Sequence, residues 1–148
     1  MSRRFITSNS AFETQVGYSR AVVSGSFIYV SGCTGYDYTA KKISPTIEAQ
    51  TEQCFVNIAS ALKEAGASMK DVVRVRYILV DRKDMDKAAP VMKKWLGNVK
   101  PAATMMVAGL FEEEMKIEVE VTARKEGVED EEGKAQDEPG QVPPGFEV

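Results

Sequence analysis

The stretch that decides the fold spans residues 100–123 and reads KPAATMMVAGLFEEEMKIEVEVTA. Its last part, KIEVEVTA at 116–123, alternates strictly between polar and apolar side chains. Alternation with a period of two predicts a strand that turns one face toward a core, here the face of Ile117, Val119 and Val121. The segment that follows Pro101 predicts a turn leading into another strand at about 103–108. The fold is therefore expected to end in two successive strands.

Four further strands are predicted upstream. Residues 5–7 form a short first strand, and the apolar runs at 21–23 and 27–31 flank a Ser-Gly-Ser turn, which is the pattern of a hairpin. A run rich in β-branched residues at 72–80 predicts the fourth. On that strand, even-numbered residues such as Arg74 and Arg76 are expected on one face, and odd-numbered ones such as Val73 on the other. Residues 36–43 are expected to form a polar loop.

Two helices are predicted between these strands. The first has Ser44 as its N-cap, Pro45 at its first position and Gly66 just beyond its end. The second carries an apolar stripe that ends at Trp95 and Leu96. Proline in a helix interior costs about 3 kcal/mol, so a short turn is expected over residues 82–88, with the main helix beginning near Pro90.

The predicted order is β-β-β-α-β-α-β-β, an α+β domain with a six-stranded mixed sheet and two helices on one face. This domain is expected to occupy residues 1–125. No helix remains to cover the other face of the sheet. An uncovered apolar sheet face is expected to be buried against another subunit.

Composition sets further bounds. Apolar residues make up 43% and charged residues 28% of the 148, as in ordinary globular proteins. Residues 126–148 carry a net charge of −7, against +4 for residues 1–125, and are rich in glycine and proline. This second segment is expected to be a disordered acidic tail.

No apolar run approaches the roughly 20 residues of a membrane span. The start, MSRRFITSNS, has no apolar core of a secretory signal. Its two arginines also fit a transit peptide. A short N-terminal segment that leads into the first strand, together with a cytoplasmic location, is favoured instead.

The sequence contains no histidine. This excludes Ser-His and Cys-His catalytic pairs, histidine-ligated zinc and cleavage of RNA by paired histidines. Cys33 and Cys54 match no metal or redox spacing, and neither a metal nor another cofactor is expected. Cys33 is interpreted as a small buried apolar residue rather than a nucleophile. Acid–base chemistry is left to Glu, Asp, Lys, Tyr or Cys side chains.

Three short motifs carry a resemblance to a known family: Gly-Tyr at 17–18, Val-Ser-Gly at 30–32, and the proline-led segment that begins at Pro101. Together with the order of elements, they make residues 5–125 similar to the Rid family, the YjgF-type reactive-intermediate deaminases. The resemblance implies a homotrimer whose sheets form a central barrel. It also implies small-molecule sites in the clefts between subunits.

The resemblance further implies roles for individual residues. In the family, an arginine grips the carboxylate of a 2-imino acid, and a glutamate acts through a water to hydrolyse the imine to a ketone and ammonia. Glu118 corresponds to that catalytic glutamate, whereas Ala103 occupies the place of the arginine. The other implied substrate-binding residues are Tyr18, Ser31, Gly32 and Thr104. Each also fits a plain structural role, since Tyr18 can anchor a turn and Glu118, like Glu120, can be a solvated strand residue.

Alanine at position 103 changes the expected chemistry. Loss of one partner of a buried charge pair costs on the order of 2–5 kcal/mol. Either another cation replaces the arginine, or the ligand is not a small imino acid. Arg74 and Arg76 are the first candidates for a replacement, with Arg76 placed in the substrate-binding set, and Arg20 is a weaker one.

Three functions are therefore carried forward. The first is binding of a small carbonyl, imine or carboxylate compound between subunits, with weak or absent deamination of 2-iminopropanoate and 2-aminoacrylate. The second is ribonuclease or translation-inhibitor activity of the kind described for some relatives, although the basic residues are scattered and not interleaved with aromatics. The third is a non-enzymatic role, either chaperone-like or in partner binding through the acidic tail.

Overall fold

The computed structural model describes residues 3–127. The predicted acidic tail from residue 128 onward lies outside the described residues. The described residues form eight strands, and their bounds are β1 Arg4–Ile6, β2 Ala21–Ser24, β3 Phe27–Thr34, β4 Tyr36–Asp37, β5 Lys42–Ile43, β6 Val72–Leu79, β7 Ala102–Val107 and β8 Ile117–Arg124. The α-helices are α1 Ala11–Val16, α2 Ile47–Glu64 and α3 Met85–Leu96.

Six strands form one mixed sheet in the order β1-β2-β3-β8-β6-β7. Neighbouring strands are antiparallel except β6 and β7, which are parallel because α3 crosses between them. The predicted six-stranded sheet with two main helices is confirmed. Two features were not predicted: the short helix α1, and the β4–β5 hairpin, which replaces the polar loop expected at residues 36–43.

The core lies between the sheet and α2. The predicted inward face of β8 is confirmed, since Ile117, Val119 and Val121 are fully buried. They meet the apolar stripe of α2, whose Phe55 stacks on Trp95 of α3 with ring centroids 5.6 Å apart. The helices α2 and α3 thus pack on each other as well as on the sheet.

The start of α2 differs from the prediction. Thr46, not Ser44, is the N-cap, and its hydroxyl accepts a hydrogen bond from the Ala49 amide at 3.3 Å. The Ser44 carbonyl instead accepts from the Gln50 side chain, which holds Ser44 outside the helix. Gly66 follows the helix at φ 79°, in the left-handed region that favours glycine, as expected.

The second main helix also differs from the prediction, because α3 begins at Met85 rather than near Pro90 and runs through the proline. Proline lacks the N–H that would bond to the carbonyl of Asp86, four residues earlier. Both Pro90 and Asp86 are exposed, so water can solvate that carbonyl and the proline ring displaces no core residue. The apolar stripe of Ala88, Met92 and Leu96 is buried and holds the helix in place.

The prediction of which β6 residues share a face of the sheet is wrong at one residue. The pairing of β6 with β8 shifts between Val72 and Arg74, so Val73 is an extra residue in a bulge. Val72 is buried, whereas Val73 is 46% exposed. Bulges are not visible in side-chain periodicity, which is why the alternation misplaced Val73.

One face of the sheet is left open by the described elements. It carries Arg74 and Arg76 of β6, Glu118 and Glu120 of β8, and Tyr29 of β3, as their register shows. The edge strand β7 is exposed along its whole length. None of the described helices is long and apolar enough to cross a membrane.

Candidate functional site

A cavity of about 770 Å³ opens on this face, where β3 and β8 meet α1 and the loop between β7 and β8. Four of its lining residues organise the site: Tyr18, Arg20, Gly32 and Glu118. Three of them were predicted as site residues. Arg20 was the weaker candidate for a replacement cation.

An irregularity in β3 gives the cavity its floor. Val30 pairs with Val121 and Cys33 with Val119, so Ser31 and Gly32 stand opposite the single residue Glu120. Two residues opposite one is the arrangement of a β-bulge, which re-aims side chains and bends the strand. The strand does not end at Ser31-Gly32 but continues to Thr34.

Glu118 lies directly over Gly32. A Cβ atom on Gly32 would come within 2.7 Å of both Cδ and Oε1 of Glu118. With a larger residue at position 32, the carboxyl group at the flexible end of the Glu118 side chain would have to move away. Gly32 therefore permits the close approach of the Glu118 side chain, and its backbone has no positive φ.

Glu118 is half-buried, and its burial raises the pKa of the carboxyl group. The neighbouring charge of Glu120 raises this pKa further, while the charge of Arg20 lowers it. A carboxyl group whose pKa is raised binds a proton more readily near neutral pH. This is the property that a general acid or base in such a cavity needs.

Arg20 is the buried cation of the site, with only 5% of its surface exposed. Its Nη1 donates to the Gly32 carbonyl at 2.8 Å and to Cys33 Sγ at 3.3 Å. Its Nη2 lies 3.5 Å from the Tyr18 hydroxyl. Its Nε lies 3.9 Å from Glu13 Oε2, and among the described residues it has no hydrogen-bond partner. Arg20 thus ties the bulge of β3 to the segment that carries Tyr18.

Glu13 is the counter-charge of Arg20 and is buried as well. Burial by itself would raise the pKa of Glu13, but hydrogen bonds from Ser8 and Thr7 and the charge of Arg20 together lower it. Thr7 Oγ1 donates to Glu13 at 2.9 Å, and the Ser8 amide donates at 3.1 Å. Glu13 is therefore held ionised beside the guanidinium.

Tyr18 is positioned by the end of α1. The helix ends at Gly17, which has a φ of 89°, and the chain then turns so that the next residue lines the cavity. The Cζ atom of Arg20 lies 5.8 Å from the centre of the Tyr18 ring. The tyrosine thus forms one wall above the guanidinium.

Ser31 does not line the cavity. Its hydroxyl donates to the Ser19 carbonyl at 2.6 Å, which ties β3 to the segment ahead of β2. Cys33 is buried, as expected, and burial raises the pKa of its thiol. Both residues support the shape of the site without facing its open space.

The remaining predicted residues lie apart from the cavity of the same protomer. Ala103 pairs with Val75, on the sheet side that faces the helices. Thr104 and Arg76 pair with each other on the open side. Arg76 Nη1 lies 3.9 Å from Glu120 Oε1, so this arginine neutralises the neighbour of Glu118 rather than lining the cavity.

Sequence reasoning missed the aromatic wall of the cavity. Phe12 and Phe111 meet edge to face with ring centroids 5.3 Å apart, and Tyr36 and Tyr38 do so at 5.0 Å. These residues come from α1, β4 and two loops that have no periodic pattern, so no sequence signal united them. Among residues 3–127, no cluster of His, Cys, Asp and Glu side chains could hold a metal ion.

The sequence matches the profile of the endoribonuclease L-PSP family over residues 8–125. The chain belongs to this family, which is the YjgF or Rid family. It is 34% identical to a RutC family protein of Pyrococcus abyssi, over 85% of this chain and all of that protein.

Two further relatives bear on fold and function. A crystal structure of a YjgF-family member from Mycobacterium tuberculosis superposes with a TM-score of 0.77 at 34% identity, covering 84% of this chain and all of that one. A protein of Dermatophagoides farinae named 2-iminobutanoate/2-iminopropanoate deaminase is 28% identical, over 81% of this chain and 95% of its own length.

Proposed function

We propose that this protein binds small carbonyl or imine compounds in the cavity at Glu118 and acts on C=N bonds there. The observation that carries the proposal is the half-buried Glu118 carboxyl group, held over Gly32 within a cavity of about 770 Å³. The name of the mite relative, an imino-acid deaminase, supports the same reaction class.

The proposed reaction is hydrolysis of an imine. Glu118 takes a proton from water as the water oxygen bonds to the imine carbon, and it passes that proton to the nitrogen to give a carbinolamine. The carboxylate then takes the proton of the new hydroxyl group and gives it to the nitrogen as the C–N bond breaks, so that ammonia leaves and the C=O bond forms. A raised pKa suits both steps, because the carboxyl group must accept and then release the same proton.

Position 103 limits the substrates. Alanine has neither charge nor hydrogen-bond donor, and Arg76, proposed above as a substitute, is engaged with Glu120. We therefore expect slow hydrolysis of 2-iminopropanoate and 2-aminoacrylate, whose carboxylate finds no arginine at position 103.

The cleft is proposed to be completed in a homotrimer. The open face of the sheet and the exposed strand β7 support this, since they display Tyr29, Met105, Met106 and Val107. Apolar strand residues of this kind are typical of surfaces that are buried between subunits. Strand β7, which carries Ala103 and Thr104, would then lie against the Glu118 cavity of a neighbouring subunit.

RNA cleavage, the activity in the family's description, has less support at this site. Glu112 and Glu118 both line the cavity, and their carboxylates would repel a phosphodiester. The aromatic residues lie inside the cavity walls rather than along a basic groove.

The test is a deaminase assay with 2-iminopropanoate generated enzymatically in the cuvette. Ala103→Arg should raise kcat/KM by about tenfold or more, since a restored charge pair contributes on the order of 2 kcal/mol or more. Adding Glu118→Ala to that variant should remove the gain, whereas adding Glu120→Ala, on the same strand face, should leave most of it. Equal activity of the two double variants would contradict the role of Glu118.

A further inference from the structure

The charges around the described half of the cavity do not favour a carboxylate. Among its described lining residues, two cations, Arg20 and Lys41, stand against two carboxylates, Glu112 and Glu118. Glu13 lies behind the wall at 3.9 Å from Arg20. With Glu118 ionised, this half of the cleft is net negative by one charge. A carboxylate on a ligand would add to the repulsion between negative charges in the cavity.

The guanidinium of Arg20 also presents no accessible pair of N–H groups, since its Nε is buried. A carboxylate is gripped best by two parallel N–H donors. The side edge of this guanidinium, which includes Nε, faces Glu13. The end edge includes Nη1, which already donates to the Gly32 carbonyl and Cys33. What Arg20 can offer a ligand is a single N–H from Nη2, which fits one neutral oxygen.

Beside Ser8, Asn9, Ser10 and Thr34, the lining includes a group of apolar and aromatic residues. Phe111 is 79% exposed and Phe12 is 37% exposed, and the two rings meet at the cavity. The Tyr36–Tyr38 pair and Met115 add to the same lining. Exposed aromatic side chains that converge on a cavity are suited to a planar apolar group.

We infer that the cleft selects uncharged carbonyl or imine compounds with an apolar, aromatic substituent over 2-oxo and 2-imino acids. This selectivity rests on the binding at Glu118 proposed above and names its ligand class. The ligand oxygen or nitrogen lies between Tyr18, Glu118 and Nη2 of Arg20. Its ring lies against Phe12 and Phe111.

Charge selectivity is tested by isothermal titration calorimetry of the full chain with two matched probes. Benzoylformate and benzoylformamide differ in charge but share the ketone and the ring. The wild-type protein should bind the amide tighter by about tenfold or more, because the acid loses hydration and meets the net negative charge of this half of the cleft. Ala103→Arg should narrow or reverse that preference.

The outcomes separate the two proposals. Wild-type protein that binds the acid as tightly as the amide overturns the charge selectivity and leaves binding at Glu118 standing. Wild-type protein that binds neither probe overturns the proposed function itself, and the selectivity falls with it.

The aromatic part of the inference is tested by Phe111→Ser, with Phe5→Ser as the matched control. Phe5 is 63% exposed on β1 and does not line the cavity. Phe111→Ser should lower the affinity for benzoylformamide by about three- to tenfold. It should leave the affinity for pyruvamide, which has no ring, unchanged. Phe5→Ser should change neither affinity. The aromatic contact is overturned if Phe111→Ser binds benzoylformamide as tightly as the wild type does. It is also overturned if the substitution changes the oligomeric state instead of the affinity.

Discussion

Glu118 and Glu120 occupy equivalent positions in the alternation of β8, yet their surroundings differ. Glu118 lies over Gly32 in the cavity, whereas Glu120 is exposed and paired with Arg76. The alternation predicted that they share a face but could not tell them apart. What separates them is the bulge at Ser31 and Gly32, a feature of pairing between strands that sequence periodicity does not encode.

The raised pKa of Glu118 predicts a pH dependence of stability. Its folded pKa lies above its ordinary value of 4.5, so the folded state binds more protons than the unfolded state between those two values. The contribution of Glu118 to stability is therefore present below pH 4.5 and is lost as pH rises through the folded pKa. Glu118→Gln should gain stability relative to wild type as pH rises from about 4 to 7, measured by urea unfolding.

Glu52→Gln serves as the control, because its change in stability with pH should have the opposite sign. A hydrogen bond from Lys94 lowers the pKa of Glu52, so its contribution is present above the ordinary value and is lost as pH falls. Glu52→Gln should therefore lose stability relative to wild type over the same rise in pH. The same slope for both variants would show that the burial of Glu118 does not raise its pKa.

Elements were predictable where a pattern runs over many residues, as in β8 and α2. The failures lie where local contacts decide. Thr46 caps α2 because Ser44 is held by Gln50, and Val73 is displaced by a shift in register. The helix α1 has only six residues, too few for a periodic signal, yet it places Tyr18 at the site.

The position of Pro90 inside α3 predicts that its replacement stabilises the protein. Pro90→Ala restores the N–H to the exposed helix backbone and should raise the free energy of unfolding by about 1–3 kcal/mol, reduced in part by the greater freedom of the unfolded chain. Pro45→Ala, which lies ahead of the Thr46 cap, should give no gain. A loss of stability in Pro90→Ala would show that the ring makes contacts that α3 needs.

At the scale of the whole molecule, the open sheet face was foreseen from the count of helices and strands. The trimer and the shared cleft are proposals that started from the resemblance to the family, since a single chain displays neither. The roles of Ala103 and Thr104 depend on that assembly, since neither residue lines the cavity of its own protomer.

We predict a trimer at micromolar concentration in light scattering coupled to size exclusion. Met106→Asp, on the exposed edge strand β7, should dissociate it because a carboxylate would be buried at the interface. Val56→Asp, at a comparably exposed position on α2, should remain trimeric. A wild-type monomer would contradict both the trimer and the shared cleft.

The most direct measurement is a crystal structure of the protein soaked with benzoylformamide. The account predicts one ligand in each Glu118 cavity, with its carbonyl oxygen within about 3 Å of Glu118, Tyr18 or Arg20 and its ring against Phe111. Ala103 of a neighbouring subunit should close the cleft. A cavity filled by side chains of the neighbouring subunit, with the ligand bound elsewhere, would contradict it.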